Sequence, residues 1–180
     1  MAEPQAPKPA KLMVGLLAGR EEWLNAAAGR LVEHFGATDA VSQTWPHAFT
    51  DYDAAEMGTD LRRRFMAFER LIGPDELAAI KLATNAIETE LAGELHAAVR
   101  RPVNLDPGYV TAAKLVLASC KDYSHRIYLG EGVFAEVTLT YEQGAWRGLP
   151  WTYPDYRTSE YQAFFTEVRQ RLRAQLRGGG

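Results

Sequence analysis

The chain has 180 residues, of which 47% are apolar and 24% charged, and its formal net charge is −3. A chain of that length buries a core without disulfide or metal staples and amounts to one domain. The lone cysteine, Cys120, excludes a disulfide framework and a Cys-rich zinc or iron–sulfur site. The acidic balance gives no strong nucleic-acid signal. No apolar run approaches the roughly 18 residues of a membrane span.

Residues 1–10 hold Pro4, Pro7 and Pro9 and nothing to bury, so they read as a disordered arm ahead of one globular domain over residues 11–177. They lack the basic and apolar regions of a secretory signal, and a cytoplasmic location is expected. Residues 12–18 are a short apolar run and read as a buried strand. A helix opens after Gly19 with Glu21 and Glu22 in its first turn, where the dipole favours acids. Leu24, Ala27, Leu31 and Phe35 form its apolar stripe, and Gly36 closes it.

Residues 44–52 are rich in aromatics and read as a strand. For 61–72 two signals compete. Leu61, Phe65, Phe68 and Ile72 fit helical spacing, whereas the alternation of elements favours a strand from 63 to 71 that pairs back onto 44–52. The hairpin is the reading adopted. A clearer helix starts at Gly73-Pro74-Asp75, with Leu77, Ile80, Thr84, Ile87 and Leu91 as its core stripe. Residues 103–106 read as a strand stopped by Pro107-Gly108. Residues 111–119 suit either a short helix, by their alanines, or a buried strand. Residues 127–129, 133–141 and 145–149 form an antiparallel meander with glycine turns. The last helix carries a capping box of Ser159 and Gln162 and a stripe of Tyr161, Phe165, Val168, Leu172 and Leu176. The order implies an α+β two-layer sandwich: a ferredoxin-like β-α-β-β-α-β core, an antiparallel meander and a C-terminal helix.

Phosphate-loop, dinucleotide, H-E-x-x-H, G-x-S-x-G and Cys-x-x-Cys motifs are all missing. The identity of any cofactor is left open by the sequence, and no metal set is assigned. Chemistry concentrates instead between residues 100 and 136. Asn104 and Asp106 alternate with Val103 and Leu105 and share a strand face. Asp106 at a strand end is either a functional carboxylate or the acceptor of an Asx-turn. Lys121, His125 and Arg126 lie ahead of a strand. Lysine as a point charge and arginine as a fork suit an anion, and histidine suits proton transfer. The alternative is a solvated loop. Glu136 shares a face with Phe134 and Thr138. If both faces of that strand are covered its carboxylate needs a partner, and Arg126 or His125 is nearest in chain order.

Other features have plainer readings. Lys81, Asn85 and Glu88 flank a helix stripe and read first as a snorkelled boundary, or else as groups facing a cleft. Cys120 reads as a packing residue rather than a nucleophile. Asp51, Tyr52, Asp53 and Glu56 read as a solvated acidic turn rather than a cation site. The aromatic turn W-T-Y-P-D-Y at 151–156 either staples the last helix or lines a pocket.

Several of these stretches recur together in one family. They include Phe49-Thr50-Asp51-Tyr52, Val103-Asn104-Leu105-Asp106-Pro107-Gly108-Tyr109, Lys121-Asp122-Tyr123-Ser124-His125-Arg126-Ile127-Tyr128-Leu129 and the aromatic turn. Through them the chain resembles an uncharacterised bacterial family, a domain of unknown function, over nearly all of residues 11–176. The resemblance implies no established activity. Members are sometimes labelled GTP-binding, a label that normally rests on the phosphate loop this sequence lacks.

The residues themselves favour a small enzyme or binding domain for an anionic, phosphate- or nucleotide-like small molecule. Arg126 and Lys121 would bind the anion with Asn104 and Asn85 as hydrogen-bond donors, His125 would transfer the proton, and Asp106 and Glu136 would orient it or bind a cation. The alternative is a non-catalytic module that docks a protein partner.

Overall fold

Strand β1 (Ala10–Ala18) is buried along its whole length, which requires cover on both faces and both edges. A computed structural model, describing residues 3–47 and 54–178, supplies that cover. The helices are α1 (Glu21–Phe35), α2 (Ala54–Met57), α3 (Leu77–Glu94) and α4 (Ser159–Gly178). The other strands are β2 (Thr38–Val41), β3 (Trp45–Pro46), β4 (Arg62–Ile72), β5 (Val103–Val110), β6 (Lys114–Ser119), β7 (Ile127–Gly130), β8 (Val133–Glu142) and β9 (Ala145–Gly148). They form one antiparallel sheet in the order β2-β4-β1-β5-β6-β8-β7. β3 adds to β4, and β9 adds to β8. The chain is thus α+β, and among the described residues no helix is long and apolar enough to cross a membrane.

Alternation along β1 sorts the core into two. Leu12, Val14 and Leu16 pack with Leu24 and Leu31 of α1 and Ile80 and Ile87 of α3. Met13 faces the other way, with Phe65, Val110, Leu115 and the α4 residues Phe165 and Val168. Helices therefore cover both faces, giving three layers where two were expected. The α4 stripe explains this: it buries Tyr161, Phe164, Phe165, Val168 and Leu172 against the face that α1 and α3 leave open.

Residues 62–72 are strand, taking in the 63–71 strand of the hairpin reading, although helical spacing fitted them. Arg62, Arg63 and Arg64 cannot share one helix stripe with Phe65, but as a strand they alternate, and only Arg63 is buried. Of the strand expected over 44–52, only Trp45–Pro46 is strand among the described residues, paired with Arg63 and Arg62. The main partner of β4 on that side is β2, which the sequence reading missed. Residues 114–119 are strand, which settles the ambiguity over 111–119. The capping box is not formed on Ser159. Thr158 caps α4 instead, its Oγ1 accepting from the Tyr161 N–H. The register slips between Leu115 and Val116 opposite β8, which turns Leu139 into the α4-side cluster and off the face shared with Val133.

Candidate functional site

The site originates in a fault in the sheet. β5 and β6 are paired only from Val110–Leu115 to Gly108–Leu117. At that last pair a Cβ on Gly108 would lie 2.3 Å from the Val116 carbonyl oxygen, so the two backbones need glycine there. Beyond it the strands part. Leu105, two residues before Pro107, has its backbone satisfied by α3 rather than by β6. Its N–H donates to Glu88 Oε1 at 2.6 Å, and its C=O accepts from Lys81 Nζ at 2.9 Å. Backbone groups alternate in direction along a strand, so the nitrogen of Pro107, which has no hydrogen, faces the same parting. Pro107-Gly108 is therefore not a turn that stops the strand. It lies inside β5, which runs on to Val110.

A cavity of about 510 Å³ opens at the parting. His125, Asp106 and Glu136 line it. So do Arg126, Lys121, Asn104 and Asn85, and hence all seven residues singled out from the sequence meet here. The parting lets α3 reach the cavity from one face of the sheet while the aromatic turn walls it from the other. The turn accordingly lines a pocket, through Trp151, Tyr153 and Tyr156, and also packs against α4, through Tyr156 on Phe165.

Two ionic clusters make the walls. In the first, Glu136 is 2% exposed. Its Oε2 accepts from Arg126 Nε at 2.8 Å and faces His125 Nε2 at 3.1 Å, and its Oε1 accepts from the Thr138 hydroxyl at 3.1 Å. Arg126 also donates to the Ser119 hydroxyl, the Lys121 carbonyl and the Tyr153 hydroxyl, and its guanidinium lies over the Tyr123 ring. Arg126 and Glu136 thus hold each other, and Arg126 is engaged on Nε and both Nη atoms. His125 is stacked on Trp151, centroids 4.9 Å apart, with Tyr123 on the other side at 6.0 Å. Its Nδ1 has no partner among the described residues. Burial pushes the Tyr153 hydroxyl up to about 12, so that group stays a proton donor at neutral pH.

In the second cluster, Arg63 donates to Asp106 Oδ2 at 2.7 Å and lies 3.9 Å from Asp155 Oδ2. Asn104 donates to the same Asp106 oxygen at 2.8 Å and accepts from Arg101. Burial works against the Asp106 charge. Arg63 and then Lys81 outweigh it and hold the carboxyl below its ordinary value. Burial has the opposite outcome at Asp155, where it outweighs Arg63 and His47 and raises the carboxyl. Asp106 Oδ1 accepts from no described residue, and the Asp106 side chain is 30% exposed.

Lys81 and Arg63 were not among the residues chosen from the sequence. Of the two readings open for Lys81, a snorkelled boundary or a group facing a cleft, burial favours the second: it is only 7% exposed and lines the cavity. Its ammonium makes one hydrogen bond, to Leu105, and two N–H groups have no partner among the described residues. The contrast is Lys11, also buried, whose three N–H groups go to Asp39, the Phe68 carbonyl and Gln175. Arg63 had a visible signal: it alternates with Leu61, Phe65 and Ala67, which puts a cation on a core face. Among the described residues the cavity lining carries five basic side chains, Arg63, Lys81, Arg101, Lys121 and Arg126, against the acidic Asp106, Glu136 and Asp155.

Cys120 is exposed at the cavity and accepts from Asn85 Nδ2 at 3.4 Å. Asp51, Tyr52 and Asp53 of the acidic turn lie outside the described residues, and Glu56 is exposed at α2. Among the described residues no group of three or more His, Cys, Asp or Glu side chains is arranged to hold a metal ion.

Neither the curated proteins nor the solved structures contain a match to this chain. A family model does match, over residues 8–172, a span that takes in both ionic clusters, the parted strands and the aromatic turn, and the chain belongs to that family, described as Domain of unknown function (DUF4416).

Proposed function

We propose that the cavity between β5 and β6 binds an anionic small molecule, with phosphate- or nucleotide-like groups as the first class to test. The observation that carries this reading is Lys81. A buried ammonium with two unused donors is costly unless something supplies acceptors. An anion supplies acceptors and opposite charge to the ammonium together, which a neutral ligand does not. Arg126 and Glu136 act in this reading by positioning. They hold the Tyr153 hydroxyl and the His125 ring at the rim, and His125 presents Nδ1 as the proton-transfer atom. Asn104 and Asn85 add hydrogen-bonding groups, and Lys121 adds charge at the exposed side.

The test is a thermal-shift screen of wild type and Lys81→Met with nucleotides, sugar phosphates, carboxylates and divalent cations. A ligand of the folded state raises the melting temperature in proportion to the logarithm of its concentration over Kd. Loss of the ammonium removes about 1.5–3 kcal/mol of charge-assisted hydrogen bonding, roughly 10- to 150-fold in affinity. No stabilisation by any anion sinks the reading.

For the fold, we infer a ferredoxin-like core in the β1-α1-β2-β4-α3-β5 unit. Support comes from the strand order β2-β4-β1-β5 and from α1 and α3 sharing one face. A second functional reading, a protein-docking module, is favoured by one observation. The edge strand β7 exposes Ile127 by 71%, with Tyr128 and Leu129 also exposed, and carries no charged residue to block pairing. Hydrogen exchange of the 127–130 amides across protein concentrations reads whether another strand covers that edge.

A further inference from the structure

Resting on the anion-binding reading, the geometry points to a narrower ligand class: a polyhydroxylated anion, not a bare one. Two groups with opposite needs sit side by side in the cavity. Lys81 holds the carbonyl of Leu105, and the next residue is Asp106. Lys81 has two unused donors, and Asp106 Oδ1 is an unused acceptor on a carboxylate that Arg63 and Asn104 hold from its other oxygen. A bare carboxylate or fully ionised phosphate placed on Lys81 serves the ammonium and offers Asp106 Oδ1 no donor. A ligand whose anionic group is accompanied by hydroxyls meets both demands at once. The anion takes the ammonium, and a hydroxyl donates to Asp106. Trp151 and Tyr153 at the mouth keep exposed ring surface, against which the flat C–H face of a sugar ring packs. A sugar phosphate and a sugar acid share this chemistry.

The experiment is calorimetric titration of the full chain with four probes: glucose 6-phosphate, glucuronate, inorganic phosphate and glucose. One of the first two is expected to bind at least about 10-fold more tightly than either of the others, the worth of one charge-assisted hydrogen bond. Which of the two wins separates phosphate from carboxylate as the anionic group. Inorganic phosphate binding as tightly as glucose 6-phosphate overturns this inference and leaves the anion reading standing. Glucose binding as tightly as glucose 6-phosphate, or no binding by any probe, overturns both. Asp106→Asn should shrink the preference for the polyol anion, because it takes the charged acceptor from the ligand hydroxyl, which inorganic phosphate does not use; an unchanged preference overturns the inference. Should that variant not fold, with Arg63 deprived of its partner, Trp151→Ala takes its place. It should weaken the polyol anion several-fold and leave inorganic phosphate alone, and equal weakening of both is the contrary result.

Discussion

Removing the Arg126 side chain should cost far more stability than a surface arginine does. In Arg126→Ala, Glu136 keeps only His125 and the Thr138 hydroxyl as partners, in a site where it is 2% exposed. Breaking a buried ion pair by deleting one partner costs about 3–5 kcal/mol, because the other charge stays behind without water. For a chain of this length each kcal/mol lowers the melting temperature by roughly 2–4 °C, so the fall should be about 6–20 °C. Arg126→Lys keeps the charge but cannot reach Glu136, Ser119, the Lys121 carbonyl and Tyr153 together, and it should fall between wild type and Ala. Replacing both partners, Arg126→Met with Glu136→Leu, should recover most of the loss, since no charge is then stranded. Thermal and urea unfolding followed by circular dichroism compares these three variants with wild type. A loss in Arg126→Ala of less than about 1 kcal/mol, the range of an exposed pair, would refute the buried-anchor account.

Gly108→Ala should destabilise by about 1–3 kcal/mol or more, read by the same unfolding curves, because its Cβ would meet the Val116 backbone at 2.3 Å; a neutral result means β5 and β6 do not close there. Asp155 has a folded-state carboxyl raised above its ordinary 3.8, so it costs the fold nothing at acid pH and an increasing amount as pH rises through the raised value. Asp155→Asn should therefore match wild type below pH of about 3.5 and gain on it toward neutrality; a variant that loses ground as pH rises contradicts the direction. Cys120→Ala should leave the melting temperature within about 2 °C and any ligand affinity within about 3-fold, since its one contact is a weak acceptor to Asn85; abolished binding in a folded variant makes the thiol essential.

Local patterns made much of this structure legible. The α1 stripe of Leu24, Ala27, Leu31 and Phe35 and the α3 stripe are buried as periodicity requires. The shared face of Asn104 and Asp106 follows from alternation alone, and so does the covered position of Glu136 once both faces of β8 are known to be packed. What escaped is non-local. Pro107-Gly108 carries a turn signature, and only the approach of Val116 and the reach of Lys81 and Glu88 from α3 turn it into the end of a ladder. Lys81 looked like a boundary residue because its burial depends on a gap between strands more than twenty residues downstream. The third layer was hidden for a related reason: a stripe on α4 shows that the helix is covered, not which sheet face covers it.

The most direct test of the anion site is an amide map of the isotope-labelled chain, wild type and Lys81→Met, titrated in turn with glucose 6-phosphate, glucuronate and inorganic phosphate. The account predicts saturable shifts in wild type centred on Leu105, Asp106, Ser119 and Cys120, the backbone on the two sides of the parted strands, weakened about 10-fold or more in Lys81→Met. Shifts centred elsewhere, or shifts that survive unchanged without the ammonium, would contradict it.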